Sequence, residues 1–341
     1  MFDATLVLAV LDAVPDAVVD GGWGVDALIG RQTRAHDDLD LVVRSERLDG
    51  IVHSLGALGF AVLTDERPTR VVLSRDSGER VDVHVVSPSS SGTTQHLPGG
   101  RQFTYMLDDT RGVIGRRSVG CISPDMQVLT HGGYEPDNQD RADIALVAGL
   151  SGLAVPPPYA VLLPRLSEGE PVVVRDATVN DVAAACVVRW RAWQAAYRGL
   201  MPQAVIDSLD LGIMWANWRG MVERPPSPAV RLFVVGGPSE VHAYTWVRPS
   251  ENGAGGPAGE VAAIYADPTA WGTGAGWAAF ARGVGYLRGQ GFSELVLWML
   301  KGNDRAGRFY ERAGWQADGT EKTTRTAVGT YVEVRYRFVE S

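Results

Sequence analysis

Two aspartates, Asp38 and Asp40, alternate with leucines in a short stretch that is typical of a β-strand. Because residues i and i+2 of a strand project to the same face, both carboxylates are expected to point together while the leucines enter the core. A glycine pair, Gly21 and Gly22, opens a predicted helix shortly before them. Two convergent carboxylates beside a glycine-lined helix start can hold Mg²⁺ against a nucleoside triphosphate. The spacing therefore indicates a metal-dependent nucleotide site.

The segment GGWGVDALIGRQTRAHDDLDLVV resembles the signature of the nucleotidyltransferase superfamily, a Gly-Gly or Gly-Ser pair followed by Asp-x-Asp. Within that superfamily it is most similar to the aminoglycoside nucleotidyltransferases of the 2''-modifying type and to related lincosamide-modifying enzymes. The resemblance implies transfer of a nucleoside monophosphate, with ATP or another nucleoside triphosphate as donor, to a hydroxyl of a small molecule. It also implies that Asp38 and Asp40 bind Mg²⁺ and that Gly21 and Gly22 bind the nucleotide.

In such a fold a third carboxylate comes from a later strand, and Asp82 is the fitting candidate. The alternation in Val81–Val86 places Asp82 and His84 on one face of a predicted strand. The resemblance implies that Asp82 is a third metal ligand or the general base that deprotonates the acceptor hydroxyl. His84 either lines the acceptor pocket or is a structural histidine. Arg34 and His36 lie between the helix and the metal strand, where they contact phosphate or remain solvated at the surface.

A second constellation begins with a predicted strand at Glu260–Ala266, followed by a proline-bounded turn and a glycine-rich helix start. Successive backbone N–H groups at such a helix start form a cradle for a pyrophosphate. A further predicted strand, Leu295–Leu300, and the segment NDRAGRFYERAGW follow. Together these features indicate a site for a pyrophosphate-containing cofactor.

These motifs resemble the GNAT superfamily of acetyl-CoA-dependent N-acetyltransferases. The resemblance implies that the CoA pyrophosphate binds N–H groups of consecutive loop residues, namely Gly272, Thr273, Gly274, Ala275 and Gly276. It implies that the pantetheine arm pairs with a strand edge formed by Ile264, Tyr265 and Ala266. Asn303 would position the cofactor, Tyr310 would protonate the departing thiolate, and Glu260 would deprotonate the substrate ammonium directly or through water.

Tryptophans give this second half a distinctive composition. Trp271 stands where the family usually has Arg or Gln, which removes a side-chain contact to CoA but leaves the backbone cradle intact. Four further tryptophans recur at helical spacings, Trp190, Trp193, Trp215 and Trp218. They either pack in the core or form an apolar or cation-stacking wall of an acceptor site.

The chain of 341 residues is long enough for two domains. The predicted fold class is α/β (α+β), with a nucleotidyltransferase-type mixed sheet and helices followed by a GNAT-type mixed central sheet flanked by helices. The predicted boundaries are 1–150 for the first domain, 151–170 for a Pro-rich linker and 171–341 for the second domain. Strands predicted in the first half are Val18–Asp20, Asp38–Val43, Val71–Ser74, Val81–Val86 and Val119–Cys121.

Composition limits the environment and the partners. The two cysteines, Cys121 and Cys186, are too few for a disulfide framework, and no apolar run is long enough to span a bilayer. The acidic start lacks a basic leader, so a cytoplasmic protein without membrane contact is expected. Residues 1–150 carry 22 acidic against 13 basic side chains. This balance favours a cationic small molecule and disfavours nucleic acid, although a solvated acidic surface explains it equally well.

These observations favour a bifunctional enzyme that uses Mg²⁺, ATP and acetyl-CoA to modify a hydroxyl and an amine. A small molecule that carries both groups is an aminoglycoside-like antibiotic, which makes resistance or self-protection the leading hypothesis. Two alternatives stay open. The two domains act on unrelated metabolites, such as an amino-acid-derived acceptor for the acetyltransferase, or one domain is a non-catalytic nucleotide- or CoA-sensing module. The sequence leaves the oligomeric state open.

Overall fold

The chain divides into two compact units in the computed structural model. The first unit comprises Met1–Leu153 with Asp210–Ile213, and the second comprises Ala154–Leu209 with Met214–Ser341. The structure describes residues 1–90, 92–160, 173–237, 239–250 and 258–338. Residues 161–170 of the predicted Pro-rich linker lie outside these described ranges, so its extent stays a prediction.

A mixed sheet with strand order β1-β2-β5-β4-β3 forms the centre of the first unit, and β6 pairs with both β5 and β7. The strands are β1 (Val18–Asp20), β2 (Asp38–Arg44), β3 (Ala61–Glu66), β4 (Arg70–Ser74), β5 (Arg80–Ser89), β6 (Gly92–His96) and β7 (Gln102–Tyr105). β2 and β5 run parallel, whereas their other neighbours pair antiparallel. This central parallel pair carries the residues with predicted chemistry.

Helices cover the apolar face of this sheet. Leu39 and Leu41 are fully buried in a cluster that includes residues of α1 and α3, which confirms that the leucines enter the core. The helices of this unit are α1 (Ala4–Ala13), α2 (Gly21–Ile29), α3 (Leu48–Ala57), α4 (Pro124–His131) and α5 (Asn138–Ser151), and a separate hairpin consists of β8 (Arg111–Ile114) and β9 (Arg117–Gly120). The opposite face of β2 and β5 therefore holds the polar side chains.

The second unit has a sheet of order β10-β11-β12-β13-β14-β16-β15. Its strands are β10 (Val174–Asp176), β11 (Arg231–Val235), β12 (Ala243–Ser250), β13 (Ala258–Ala266), β14 (Leu295–Leu300), β15 (Trp315–Thr326) and β16 (Gly329–Phe338). Within the described residues, β13 and β14 are its parallel neighbours and the other neighbours are antiparallel. The predicted fold class, mixed sheets with helices in both halves, is confirmed.

Helices pack against both faces of this sheet. The remaining helices are α6 (Pro157–Ala160), α7 (Val182–Ala196), α8 (Gln203–Asp207), α9 (Leu211–Glu223), α10 (Ala275–Gly289) and α11 (Asp304–Arg312). Ile264 of β13 joins a core cluster with Phe280 of α10, whereas its neighbour Tyr265 joins a cluster with Trp193 of α7. Of the helices that the structure describes, none is long and apolar enough to span a membrane. Both cysteines are buried free thiols.

Candidate metal and cofactor sites

Parallel pairing of β2 with β5 brings carboxylates together in the first unit. Asp40 lies directly opposite Asp82, and candidate ligand atoms of Asp40, Asp82 and His84 all lie within 4.8 Å of one another. Asp38 is half exposed at the start of β2, opposite Arg80, whose Nη2 lies 3.8 Å from its Oδ2. The structure thus brings two of the three predicted carboxylates into one cluster, with Asp38 nearby on the same face of β2.

One oxygen of Asp82 makes this cluster suitable for a cation. Its Oδ2 accepts a hydrogen bond from Arg70 Nη1 at 3.1 Å, whereas its buried Oδ1 has no hydrogen-bond partner among the described residues. Burial raises the pKa of Asp82, and the negative charge of Asp40 adds to this rise against the opposing effect of His84. Carboxylate oxygens are ligands of Mg²⁺, and a cation between Asp40 and Asp82 would offset the repulsion between their charges.

His84 connects the cluster to a neighbouring strand. His84 Nε2 lies 3.4 Å from Asp40 Oδ1, and its Nδ1 lies 3.1 Å from Gln95 Nε2. Gln95 Nε2 donates to the carbonyl of Thr69. Burial lowers the pKa of His84, but its hydrogen bond to Asp40 and the surrounding carboxylates outweigh this and raise it to about 9. Positive charge is therefore stabilised at this point of the unit.

Asp20 and Tyr105 belong to the same cluster but were not predicted. Asp20 pairs with Asp40 across β1 and β2, caps α2 through the amide of Gly21 at 2.7 Å, and accepts from Tyr105 Oη at 3.1 Å. Burial raises the pKa of Asp20. The only sequence signal for Asp20 is its place before a glycine pair, which indicates a helix cap. The role of Tyr105 depends on β7, which the apolar pattern does not reveal.

The glycine pair is required by close packing at the start of α2. Gly21 has φ +56°, and a Cβ at this position would overlap Asp40 Oδ2. A Cβ on Gly22 would lie 2.5 Å from His36 Nδ1 and 2.7 Å from Arg34 Nη2. The backbone of the helix start is therefore held directly against the carboxylate cluster, as the predicted nucleotide site needs.

The basic turn between α2 and β2 is anchored by acids. Arg34 Nη2 forms an ion pair with Asp143 of α5 at 2.9 Å. His36 is buried, and its Nε2 lies 2.6 Å from Asp26 Oδ2. These contacts give His36 a structural role, whereas Arg34 lies beside Gly22 at the helix start. Phosphate binding by Arg34 stays a prediction.

The glycine-rich loop of the second unit is open. Gly272 and Gly274 have φ values of +83° and +93°, and a Cβ on either would meet nothing within 4 Å. Thr273 Oγ1 accepts from the amide of Ala275, while the following amides of the first turn, including that of Gly276, have no intrahelical acceptor. The loop therefore has open space beside it and unpaired amides at the helix start, and binding of a pyrophosphate there stays a prediction.

Strand β13 separates from β14 beside this loop. The two strands pair only from Gly259 to Val261, and Ala262 is skipped in the register with β12. A bulge of this kind bends the strand and re-aims the side chains beyond it. As a result, the edge of Ile264–Ala266 that faces away from β12 is not paired with β14. This edge, which β14 leaves unpaired and where the Ala266 carbonyl accepts from Trp271 Nε1, is called the free edge and is the one predicted to hold a pantetheine arm.

The predicted catalytic residues of this unit have different environments. Tyr310 of α11 is buried, and burial raises the pKa of its phenol. Glu260 is also buried, but its two carboxylate oxygens accept from Arg248 at 3.0 and 3.2 Å. Asn303 Oδ1 accepts from the amide of Ala306 and so caps α11. The assigned roles of Tyr310, Glu260 and Asn303 stay predictions.

Comparison with known proteins finds a family-model match in each unit. Residues 5–147 match the model of the aminoglycoside-2''-adenylyltransferase family. A lincosamide resistance protein of Staphylococcus haemolyticus is 30% identical over 128 residues, which are 37% of this chain and 80% of that protein. The chain belongs to the aminoglycoside-2''-adenylyltransferase family. A 2''-aminoglycoside nucleotidyltransferase of Escherichia coli is also 51% identical over 41 residues, 11% of this chain and 23% of that protein.

The second unit of the chain matches a different family. Residues 191–315 match the model of the GNAT acetyltransferase family. A mycothiol acetyltransferase of Thermobispora bispora is 37% identical over 78 residues, 22% of this chain and 26% of that protein. Both resemblances inferred from the sequence are thus confirmed. Because both families consist of transferases, the prediction of a transferase is confirmed as well.

Trp271, which stands where the GNAT family usually has Arg or Gln, contacts both the end of β13 and an arginine. Trp271 Nε1 donates to the carbonyl of Ala266 at 2.9 Å, which ties the loop to the end of β13. The guanidinium of Arg305 lies 3.7 Å from the centre of the Trp271 ring. A cation therefore stands beside the loop although the loop position itself carries no charge.

Proposed function

We propose that the chain catalyses two group transfers, one in each unit. The first unit transfers AMP from Mg·ATP to a hydroxyl of an aminoglycoside- or lincosamide-like antibiotic, and the second transfers acetyl from acetyl-CoA to an amine of a small molecule. The observation that carries this proposal is the pairing of Asp40 with Asp82, together with the unpartnered buried Oδ1 of Asp82.

In the first unit, Asp40 and Asp82 would hold Mg²⁺, joined by Asp38 from the start of β2. Bound Mg²⁺ supplies charge neutralisation and polarisation at the reacting phosphate. The amides at the start of α2 face the phosphate groups, and Arg34 adds positive charge beside Gly22. These residues fix the α-phosphorus in front of the carboxylates.

Asp82 is the candidate general base of this reaction. It accepts the proton of the acceptor hydroxyl, whose oxygen forms a bond to the α-phosphorus. The bond between the α-phosphorus and its bridging oxygen breaks, and pyrophosphate leaves with the electron pair. The excess of acidic side chains in residues 1–150 supports a cationic acceptor such as an amino sugar.

In the second unit, the open loop binds the CoA pyrophosphate and the free edge of β13 pairs with the pantetheine arm. The neutral amine attacks the thioester carbonyl, a C–N bond forms and the C–S bond breaks. The departing thiolate takes a proton from the phenol of Tyr310. Because Arg248 binds both oxygens of Glu260, removal of the amine proton by Glu260 proceeds through water.

Mass spectrometry of reaction mixtures tests both transfers. Purified protein is incubated with Mg·ATP and acetyl-CoA and a panel of aminoglycosides, lincosamides and simple amines. We expect the mass of one AMP on an antibiotic and the mass of one acetyl group on an amine, and both masses on one product would support a shared substrate. Asp40→Asn should abolish the first gain and spare the second. Nucleotide transfer that persists in this variant contradicts the assigned site.

The cellular location follows from the same features. The buried free thiols of Cys121 and Cys186 are compatible with a reducing compartment, and both co-substrates are cytoplasmic metabolites. We therefore place the reaction in the cytoplasm.

A further inference from the structure

An arginine of α7, Arg189, lies inside a group of aromatic rings that we call the aromatic cage. The guanidinium carbon of Arg189 lies 5.0 Å from the ring centre of Trp193, 5.7 Å from that of Trp218 and 5.6 Å from that of Tyr265. These three residues define the cage. Two of its members are among the tryptophans that the sequence offered as either core residues or a wall of an acceptor site.

Arg189 has no anionic partner in the described part of the chain. Its Nε is buried without a hydrogen-bond acceptor among the described residues. The oxygens that act on its charge are phenol hydroxyls, those of Tyr244, Tyr265 and Tyr197. Two other arginines of the same unit do form ion pairs with carboxylates: Arg175 pairs with Asp181 at 2.6 Å, and Arg191 pairs with Asp267 at 2.8 Å. Arg189 is therefore a largely shielded charge that no carboxylate of the described residues compensates.

Ring faces satisfy only part of the needs of a guanidinium. They attract its positive charge, but its five N–H groups lie in the guanidinium plane and need oxygen acceptors. A buried charge without such acceptors is costly, and a planar carboxylate supplies two of them in matching geometry. A single arginine balances one negative charge, which favours a carboxylate over a phosphate dianion.

The aromatic cage lies next to the predicted acetyl site. Its member Tyr265 belongs to the free edge of β13, and the hydroxyl of Tyr265 lies 3.0 Å from that of Tyr197, which follows α7. An acceptor whose anionic group binds Arg189 would therefore present its amine close to the strand edge that holds the acetyl carrier.

We propose that the amine substrate of the second unit carries a carboxylate that Arg189 binds within the aromatic cage. This inference rests on the proposed acetyl transfer and specifies its acceptor as an amino-acid-like molecule. A polycationic amino sugar is repelled by the shielded charge of Arg189. The two units then act on different substrates.

Binding of matched amine pairs tests this proposal. Each pair consists of an amino acid and its primary amide, so that the two compounds differ only at the carboxylate. Tobramycin is added as a polycationic amine. A further pair, 2-aminoethyl phosphate and ethanolamine, tests a phosphate in place of the carboxylate. Affinities are measured by tryptophan fluorescence with CoA bound to the full chain, and acetylation rates by thiol release from acetyl-CoA. We expect at least one amino acid to bind more than 10-fold tighter than its amide and to be acetylated faster.

Variants of Arg189 decide whether this residue causes the preference. Arg189→Met should erase the difference within a pair, and Arg189→Lys should restore part of it, which separates loss of charge from loss of folding. Arg219→Met is the matched control, because Arg219 also lies over a tryptophan, Trp215, but pairs with Glu223. This control should keep the full preference.

The contrary outcomes are distinct. The proposal is overturned if the wild type binds CoA but prefers no carboxylate, if tobramycin binds best, or if Arg189→Met keeps the preference. A preference confined to 2-aminoethyl phosphate also overturns the carboxylate assignment. Failure of the wild type to bind CoA at all would instead refute the proposed acetyl transfer.

Discussion

The backbone of Gly21 approaches the carboxylate of Asp40 so closely that no side chain fits between them. This contact joins the start of α2 to the face of β2 that is proposed to bind the metal. It also gives a reason for the glycine pair beside the aspartates, because in the proposed site the peptide groups for phosphate would lie against the carboxylates for the cation. The two halves of the proposed site are thus fixed by one steric constraint.

Substitution of Gly21 should therefore remove nucleotide transfer. Gly21→Ala places a methyl group on Asp40 Oδ2 and strains a backbone with φ +56°, so we expect loss of AMP transfer and weaker ATP binding. Gly30→Ala is the matched control, because Gly30 ends the same helix with φ +78° but has open space around it. It should lose only about 1 kcal/mol of stability and keep activity. Equal ATP affinity by calorimetry in wild type and Gly21→Ala would contradict this role.

Single residues were predictable where their strand spacing sets their direction. Alternation in the sequence of β2 is enough to place Asp38 and Asp40 on one face of that strand, and alternation in β5 does the same for Asp82 and His84. The pairing of Asp40 with Asp82 depends on strand register, which one sequence does not reveal. Asp20 and Tyr105 enter the cluster only through such pairing, so no local pattern could identify them.

Among the secondary-structure elements, α10 and β13 together create the proposed cofactor site. The bulge at Ala262 turns β13 away from β14, and the loop after β13 leads into the open start of α10. The strand supplies a free hydrogen-bonding edge and the helix supplies free amides. Neither element alone could bind a long cofactor with a pyrophosphate at its centre.

A bulky side chain at the start of α10 should block this cofactor site without unfolding the unit. A Cβ on Gly276 has its nearest contact 4.0 Å away, at Ala266 Cβ, and Gly276 lies in the first turn of the helix. Gly276→Val should therefore fold normally, yet weaken CoA binding by more than 10-fold in calorimetry. Gly285→Val, in the same helix and also with open space, should leave CoA affinity unchanged. Equal CoA affinities of Gly276→Val and Gly285→Val would contradict CoA binding at this loop.

Elements with strong apolar alternation were predicted, whereas polar ones were not. Among the elements of the first unit, β6 and β7 went unpredicted because their buried positions include Thr93, Thr94, Gln95 and Thr104 rather than aliphatic residues. β3 was also missed, since its side chains are mostly exposed and give no apolar pattern. β3 forms through pairing with β4, β6 through pairing with β5, and β7 through pairing with β6, which is a tertiary effect.

In the whole molecule, two units of different fold each contain one proposed site. The carboxylate cluster lies entirely within the first unit, and the loop, the free strand edge and the aromatic cage lie within the second. The excess negative charge is confined to the first half of the chain. An acidic unit for cationic antibiotics and a unit with a shielded arginine for carboxylate-bearing amines would serve different substrates.

Divalent-cation binding by the full chain tests the carboxylate site directly. Mn²⁺ replaces Mg²⁺ as a paramagnetic probe, and free Mn²⁺ is measured by electron paramagnetic resonance in the presence of ATP. The wild type should bind Mn²⁺ more than 10-fold tighter than Asp82→Asn, because that variant loses a charged oxygen ligand. Asp49→Asn, which alters an exposed acid paired with Arg67, should bind like the wild type. Equal Mn²⁺ affinity in wild type and Asp82→Asn would contradict a metal site between β2 and β5.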